Sequence, residues 1–447
     1  MSLFSVSLLD IFVLVTCTVF LYKYARLTSV HPGFMYLIFH IMFFTARLYS
    51  VMRGSPTLFT DYPGALPVSE QEIAWAVLLA ELGLIGMTGG LILSSQRDRR
   101  RTTHLSGVAD QHDAVLSERV LRSVSLCAFP LGVVSLLVAG AIPKAENLAV
   151  DFGEWGTSGW LMVTQFWPVL VLLALIYFYG FRRGLVVLIA ICLALMSIQG
   201  FNRFRVILPV IFLLITWQTR TGFKWPRKWM IISFAFFAML TFPMKQLGRM
   251  VQRGESLSDM VSVASDSFSE VLRGTAPDQM FLDQFAATVW LVDDSGRHFY
   301  GQTLYPLLFL PVPRQLWPDK PNFSFYLYET RNPARPIYWC GMGGTIHGES
   351  YANFGLIGVP IVSFILGYWL GNFYFTAMRR SYFSVYRFMY VTVACCLVQV
   401  FRDGLNALVL FPVVNMMPLV AIAALSYVSY RRKRAWNPRY PSFVPGR

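Results

Sequence analysis

GTIHGESYANFG (344–355) gives way to LIGVPIVSFILGYWLGNFYFTAM (356–378), a run of 23 residues with no charged side chain, and then to RRSYFSVYR (379–387). A bilayer is spanned by about 20 apolar residues. Inside lipid a segment must be helical, because its backbone polar groups find no partner except each other. Basic residues collect at the cytoplasmic ends of such helices. The order polar motif, apolar run, basic cluster therefore predicts a helix over 353–378 that enters from the outer face and leaves on the inner one.

The same pattern recurs along the chain. Apolar runs predict spans at 3–22, 32–52, 72–94, 121–142, 157–180, 184–200, 206–219, 229–247, 353–378, 387–402 and 408–430, about eleven in all, or twelve. Residues 3–22 lack a basic leader and a small-residue cleavage site, so they read as a retained span. Lys23 and Arg26, QRDRRR (96–101), FRR (181–183), RTGFKWPRK (220–228), MRRSYFSVYR (378–387) and RRKR (431–434) follow the odd-numbered spans. That alternation places the N-terminus outside and the C-terminus inside. The expected fold is an all-α polytopic transmembrane bundle in three parts. Residues 1–247 carry eight helices with short loops. Residues 248–352 form one large extracytoplasmic loop, and residues 353–447 carry three more helices and a basic tail.

Composition agrees. Of 447 residues, 55% are hydrophobic and 14% charged, against about a quarter charged in a soluble domain. The net charge of +14 lies in short segments between spans, too short for a continuous basic groove, so nucleic acid is not an expected partner. The inner loops are also too small for a nucleotide-binding domain, and no phosphate-binding glycine motif lies between a strand and a helix. Cys17, Cys127, Cys192, Cys340, Cys395 and Cys396 are scattered without metal-ligand spacing. Any chemistry is therefore expected on the outer face and without nucleotide.

Within the outer loop, 275–291 reads as an amphipathic helix capped by Thr275, with Pro277 in its first turn. YPLLFLPVP (305–313) is too short to span and reads as re-entrant or interfacial. Trp317 and Trp339 suit headgroup level.

Four places offer chemistry. Arg203 and Arg205 in QGFNRFR (199–205) sit at an outer end, where arginine is disfavoured. A guanidinium binds phosphate oxygens bidentately, although a snorkelling headgroup anchor has the same signature. In VFRDGLNALVLF (400–411), Arg402 and Asp403 precede Gly404. An arginine near the bilayer faces a cavity or a partner, or else the two residues simply pair and end the helix. In the opening motif, Glu349 and His347 are candidate bases toward a hydroxyl. Its Ser350, Asn353 and Gly355 equally suit a helix start. Arg314 and Lys320 in PVPRQLWPDKP (311–321) add cations to the same face, as do the weaker candidates Lys245, Arg249 and Arg253. Arg47 and Glu81, at comparable depth, are expected to form an ion pair, with His40 a satisfied bundle residue. Asp293 and Asp294 hint at a metal, but no third ligand is evident.

PRQLWPDKP (313–321), HGESYANFGLIG (347–358) and FRDG (401–404), together with the arginine of GFNR (200–203), resemble the bacterial oligosaccharide repeat-unit polymerase family, the Wzy-type O-antigen and exopolysaccharide polymerases. The resemblance follows the topology of most of the chain, but its motifs lie within 199–205 and 311–404. It implies a C-type glycosyltransferase in the bacterial inner membrane with its active site facing the periplasm. Donor and acceptor would both be undecaprenyl-diphosphate-linked oligosaccharides, the growing glycan passing en bloc to a new repeat unit. No metal or other cofactor is implied. Arg203, Arg402, Arg314 and Arg205 would bind the diphosphate, Glu349 or His347 would activate the acceptor, and Asp403, Lys320 and Arg249 would support them. A chain-length regulator is a possible partner besides the lipid bilayer. An O-antigen ligase would share the donor. A flippase or transporter would show paired broken helices in two related halves, and no such halves are evident.

Overall fold

The computed structural model describes residues 2–55, 57, 68–104, 113–141, 163–198, 204–222, 250, 256–273, 280–309, 312, 316–317, 319 and 345–436. Among these no strand occurs; the β contact is an isolated bridge between Val115 and Ser384. The helices are α1 (Leu3–Ala25), α2 (Pro32–Met52), α3 (Glu70–His104), α4 (Glu118–Ala141), α5 (Trp167–Tyr179), α6 (Arg183–Ile198), α7 (Phe204–Arg220), α8 (Leu257–Arg273), α9 (Phe281–Ser295), α10 (Ile346–Arg379), α11 (Val385–Ala394), α12 (Leu397–Asp403), α13 (Ala407–Asn415) and α14 (Met417–Trp436). Five of these are long and apolar enough to cross a membrane, namely α1, α2, α3, α4 and α10. The number rises to seven if α11 with α12, bent by 49°, and α13 with α14, bent by 77°, each make one broken span.

This is the all-helical membrane architecture expected, with differences in detail. The run 157–180 yields a described helix only from Trp167, so α5 has 13 residues, about 20 Å at 1.5 Å per residue. The expected span 229–247 lies outside the described residues. Residues 387–402 and 408–430 do not form straight helices. The first breaks at Cys395–Cys396, and the second passes through a π-helical segment, Leu410–Asn415, before the bend at Met416. Another π segment, Ile41–Thr45, interrupts α2.

α3 is the centre of the bundle, and α10 is the helix that packs most extensively against it. Their contact rests on small residues. A Cβ on Gly86 would collide with Pro360 O, and one on Gly90 with Phe364 O. Lipid tails are as apolar as leucine, so helices in a membrane associate through close backbone approach and van der Waals contact. The repeated glycines in GLIGMTGG (83–90) supply that approach.

Several basic segments meet at one end of the bundle. Arg379 pairs with Asp98, Arg99 donates to Tyr24 O, Arg220 donates to Tyr177 O and to Tyr382 Oη, and Arg380 reaches Asp113. The ends of α1, α3, α5, α7 and α10 therefore share a face, as their charges predict.

α9 corrects a sequence expectation. It begins at Phe281, and every residue from Phe281 to Val289 is buried. Thr275 lies outside the described residues. Burial on all sides over its first nine residues puts that part of the helix inside the bundle rather than on its surface, and α9 packs against α3 and α10. Its one early charge, Asp283, is fully buried and is held in a bidentate pair by Arg47, at 2.7 Å to Nε and 2.9 Å to Nη2. Arg47 therefore does not pair with Glu81. Glu81 instead lies 3.0 Å from His40 Nε2, which also touches Asp10 at 3.0 Å. The pairing was not readable because the partner of Arg47 comes from a segment assigned to the outer loop.

Candidate functional site

Opposite the basic end, three chain segments are tied together: 299–303, 345–353 and 402–406. α10 starts at Ile346, before the apolar run, so the motif HGES is helical. Thr345 caps it, its hydroxyl accepting from Gly348 N at 3.0 Å. Thr345 holds φ +45°, a region that side-chain-bearing residues rarely adopt. Its N–H donates to Arg402 O at 3.1 Å, which fixes the head of α10 against the end of α12. Gly355 (φ 64°, ψ −157°) then kinks the helix, where the sequence reading had set a helix start.

Glu349 is 2% exposed. Its carboxylate accepts from Thr303 Oγ1 at 2.7 Å, from Leu405 N at 2.5 Å and from Asn406 Nδ2 at 3.1 Å. Asn353 Nδ2 donates to Thr303 Oγ1 and to Glu349 O, both at 2.8 Å, and its carbonyl accepts from Gly301 N at 2.7 Å. Asn406 also donates to Thr303 O at 3.0 Å. The result is a closed polar knot with Glu349 at its middle. Gly404, at φ 96°, makes the turn that brings Leu405 and Asn406 to the carboxylate, and a Cβ there would strike Glu349 Oε2.

His347 does not share this environment. Residues two apart on a helix point to different sides. His347 lies in an aromatic cage of Tyr36, Phe39, Phe44 and Phe285. Its Nε2 is 2.6 Å from Tyr36 Oη. The two candidate bases are thus brought into one helix turn but not onto one face.

Arg402 sits beside the knot, 7% exposed. Its Nε donates to Asp403 Oδ1 at 2.7 Å, and its guanidinium stacks over Phe281 at 4.8 Å. Gln399 donates to the same aspartate. The local Arg402–Asp403 pair is therefore present, within a buried cation–carboxylate group that the 404–406 turn links to Glu349. Arg205 lies in the first turn of α7, half-buried; α7 packs on α5, α6 and α11. Arg203, Arg314, Lys320 and Arg249 lie outside the described residues. Asp293 accepts from Tyr351 Oη at 2.7 Å. No metal-capable group forms around it among the described residues.

No protein-family model, curated protein or solved structure matches this chain.

Thr303 and Asn406 were missed in the sequence. Thr303 stands in GQTLYP (301–306) with no motif around it. Asn406 could have been found, because it stands two residues after the glycine of FRDG, and a side-chain amide just past a turn glycine readily bonds to nearby backbone.

Proposed function

We propose that the chain is a membrane-embedded glycosyltransferase of C-type architecture, with eleven or twelve spans. It polymerises undecaprenyl-diphosphate-linked repeat units on the outer face of the bacterial inner membrane. The observation that supports this most is Arg402. It is a buried guanidinium at the end of a broken apolar helix, oriented by Asp403 and Phe281, at the end of the bundle away from the basic clusters. A cation held in this way is suited to the diphosphate of a lipid-linked donor, whose departure needs charge stabilisation. Arg203, Arg205 and Arg314 are proposed to share that task, with Lys320 and Arg249 in support.

In the reaction a hydroxyl of the acceptor sugar attacks the donor's anomeric carbon. The carbon–oxygen bond to the diphosphate breaks, undecaprenyl diphosphate leaves, and the hydroxyl proton passes to a base. Glu349 is the better placed candidate, because its carboxylate touches the turn that follows Arg402. Enclosed by Thr303, Leu405 and Asn406, it meets a substrate only once that turn withdraws. His347, inside its aromatic cage, is proposed to position the head of α10.

Deleting the gene and separating surface and lipid-linked glycans by gel tests the reading. A ladder collapsed to single repeats is expected, and Arg402→Ala and Arg203→Ala should reproduce it at normal protein level in the membrane. An unchanged ladder would sink the proposal. Full-length polymer stranded on the carrier lipid would point to a ligase instead. Glu349→Gln turns an amide nitrogen toward a donor and so lowers stability, and turnover is therefore read per folded protein: loss of nearly all of it marks a base, whereas a purely positioning residue retains most of it.

A further inference from the structure

Away from that site, three ionisable side chains from three helices meet inside the bundle: Asp10 on α1, His40 on α2 and Glu81 on α3. Their exposures are 1%, 0% and 3%. His40 Nε2 lies 3.0 Å from Asp10 Oδ1 and 3.0 Å from Glu81 Oε1. The three ligand atoms lie within 4.8 Å of one another. The remaining oxygens, Asp10 Oδ2 and Glu81 Oε2, are buried and accept no hydrogen bond among the described residues. A buried polar atom without a partner is rare and asks for an explanation. Asp10 also lies within hydrogen-bonding reach of Glu81 and of the Thr45 hydroxyl. Thr45 closes the π segment that starts directly after His40. Such bulges in α-helices concentrate at functional sites.

Charge sharpens the question. Two carboxylates and an imidazole meet in the part of the chain that spans the membrane, where uncompensated charge is costly, so without an ion they are balanced only by the protons they share. Among the described residues no arginine or lysine pairs with either carboxylate. We propose that Asp10, His40 and Glu81 bind one divalent transition-metal ion of the zinc class. Such an ion would replace the protons the three groups otherwise share, bound by His40 Nε2 and one oxygen of each carboxylate. Imidazole with carboxylates selects this class over sodium or calcium, which prefer all-oxygen shells. With metal bonds of about 2.0–2.2 Å, tetrahedral ligand atoms stand roughly 3.3–3.5 Å apart. The two 3.0 Å separations at His40 Nε2 need to open by a few tenths of an ångström, and the two carboxylate oxygens, within 4.8 Å of each other, need to settle to the same spacing. Three protein ligands leave a fourth position for water or a substrate group. The ion would join α1, α2 and α3. It would also lie one ring away from the candidate site, because Phe44 packs on both His40, at 5.3 Å, and His347, at 5.2 Å. The inference does not depend on any glycan chemistry.

The test uses the full chain in nanodiscs, carrying an affinity tag without histidine. After stripping with a chelator, Zn²⁺ and Co²⁺ are added back and excess ion is removed. About one equivalent per chain should remain, with the ligand-field absorption of low-coordinate Co²⁺ and a zinc-edge X-ray spectrum of nitrogen and oxygen neighbours. Zn²⁺ should raise the thermal midpoint of the wild type. His40→Gln should abolish all of these at an unchanged size-exclusion profile. Should that variant not fold, Glu81→Gln and Asp10→Asn provide the same reading. No saturable binding by the wild type, equal binding by the variants, or sulfur in the metal's shell would each overturn the proposal. The first result would leave the triad held by protons alone.

Discussion

Two of the buried carboxylate clusters among the described residues are built differently. Around Glu349 every partner donates: a hydroxyl, a backbone N–H and a side-chain amide converge on one carboxylate. Around His40 two carboxylates compete for one ring nitrogen, and each keeps an oxygen without a hydrogen-bond partner among the described residues. In the knot the Glu349 carboxylate itself is fully partnered and only Asn406 Oδ1 lacks a partner among the described residues, and a carboxylate whose acceptors are all used rigidifies its surroundings. The knot at Glu349 therefore reads as a fastening between 299–303, α10 and the 402–406 turn. The triad reads as a place kept for a ligand.

Mutations should separate the two kinds of site. Arg47→Ala sets the scale, because it removes the guanidinium that neutralises buried Asp283. Breaking such a pair costs about 3–5 kcal/mol, expected as the largest fall in thermal midpoint in detergent. Glu349→Ala should cost about 2–4 kcal/mol, because the N–H of Leu405 and the side chains of Thr303 and Asn406 lose their acceptor and buried unsatisfied groups cost about 1–3 kcal/mol each. A loss below about 1 kcal/mol would show that the knot is not a fastening. Asn406→Ala removes one donor and should cost about 1 kcal/mol, read in the same assay. Smallest of all is Glu81→Gln measured with chelator present. It removes one of two adjacent like charges and keeps a carbonyl acceptor for His40, so stability should stay within about 1 kcal/mol of wild type. A large loss there would make the triad as structural as the knot and remove the contrast.

The two clusters also differ in how much of each was legible. HGESYANFG and FRDG stand out in the sequence, so Glu349, Arg402 and Asp403 are candidates there, whereas Asn353 reads only as part of a helix start. What could not be seen was that α10 begins at Ile346, which turns His347 into an aromatic cage and Glu349 toward Thr303. Spacing in sequence becomes direction only once the helix is fixed. The triad was less visible. Asp10, His40 and Glu81 stand in three separate apolar runs, and the depth argument joined Glu81 to Arg47 because both sit at similar distances from the outer surface. Depth is one coordinate; rotation about each helix axis and the identity of the neighbour supply the others. Arg47 faces α9, a helix that hydropathy alone assigned to a surface loop.

By itself, then, the sequence determined that the described chain is helical, with several helices long and apolar enough to cross a membrane, and which ends of its helices gather the basic side chains. Both follow from one-dimensional quantities: the length of an apolar run that must satisfy its own backbone in lipid, and the sign of the charge beside it. Tertiary structure decided which helix lies at the centre, where the spans break, and which buried charges meet. Those outcomes depend on glycines that let α3 and α10 approach backbone to backbone, and on partners far apart in sequence, such as Arg47 and Asp283, 236 residues apart. Local pattern carries no record of contacts that distant.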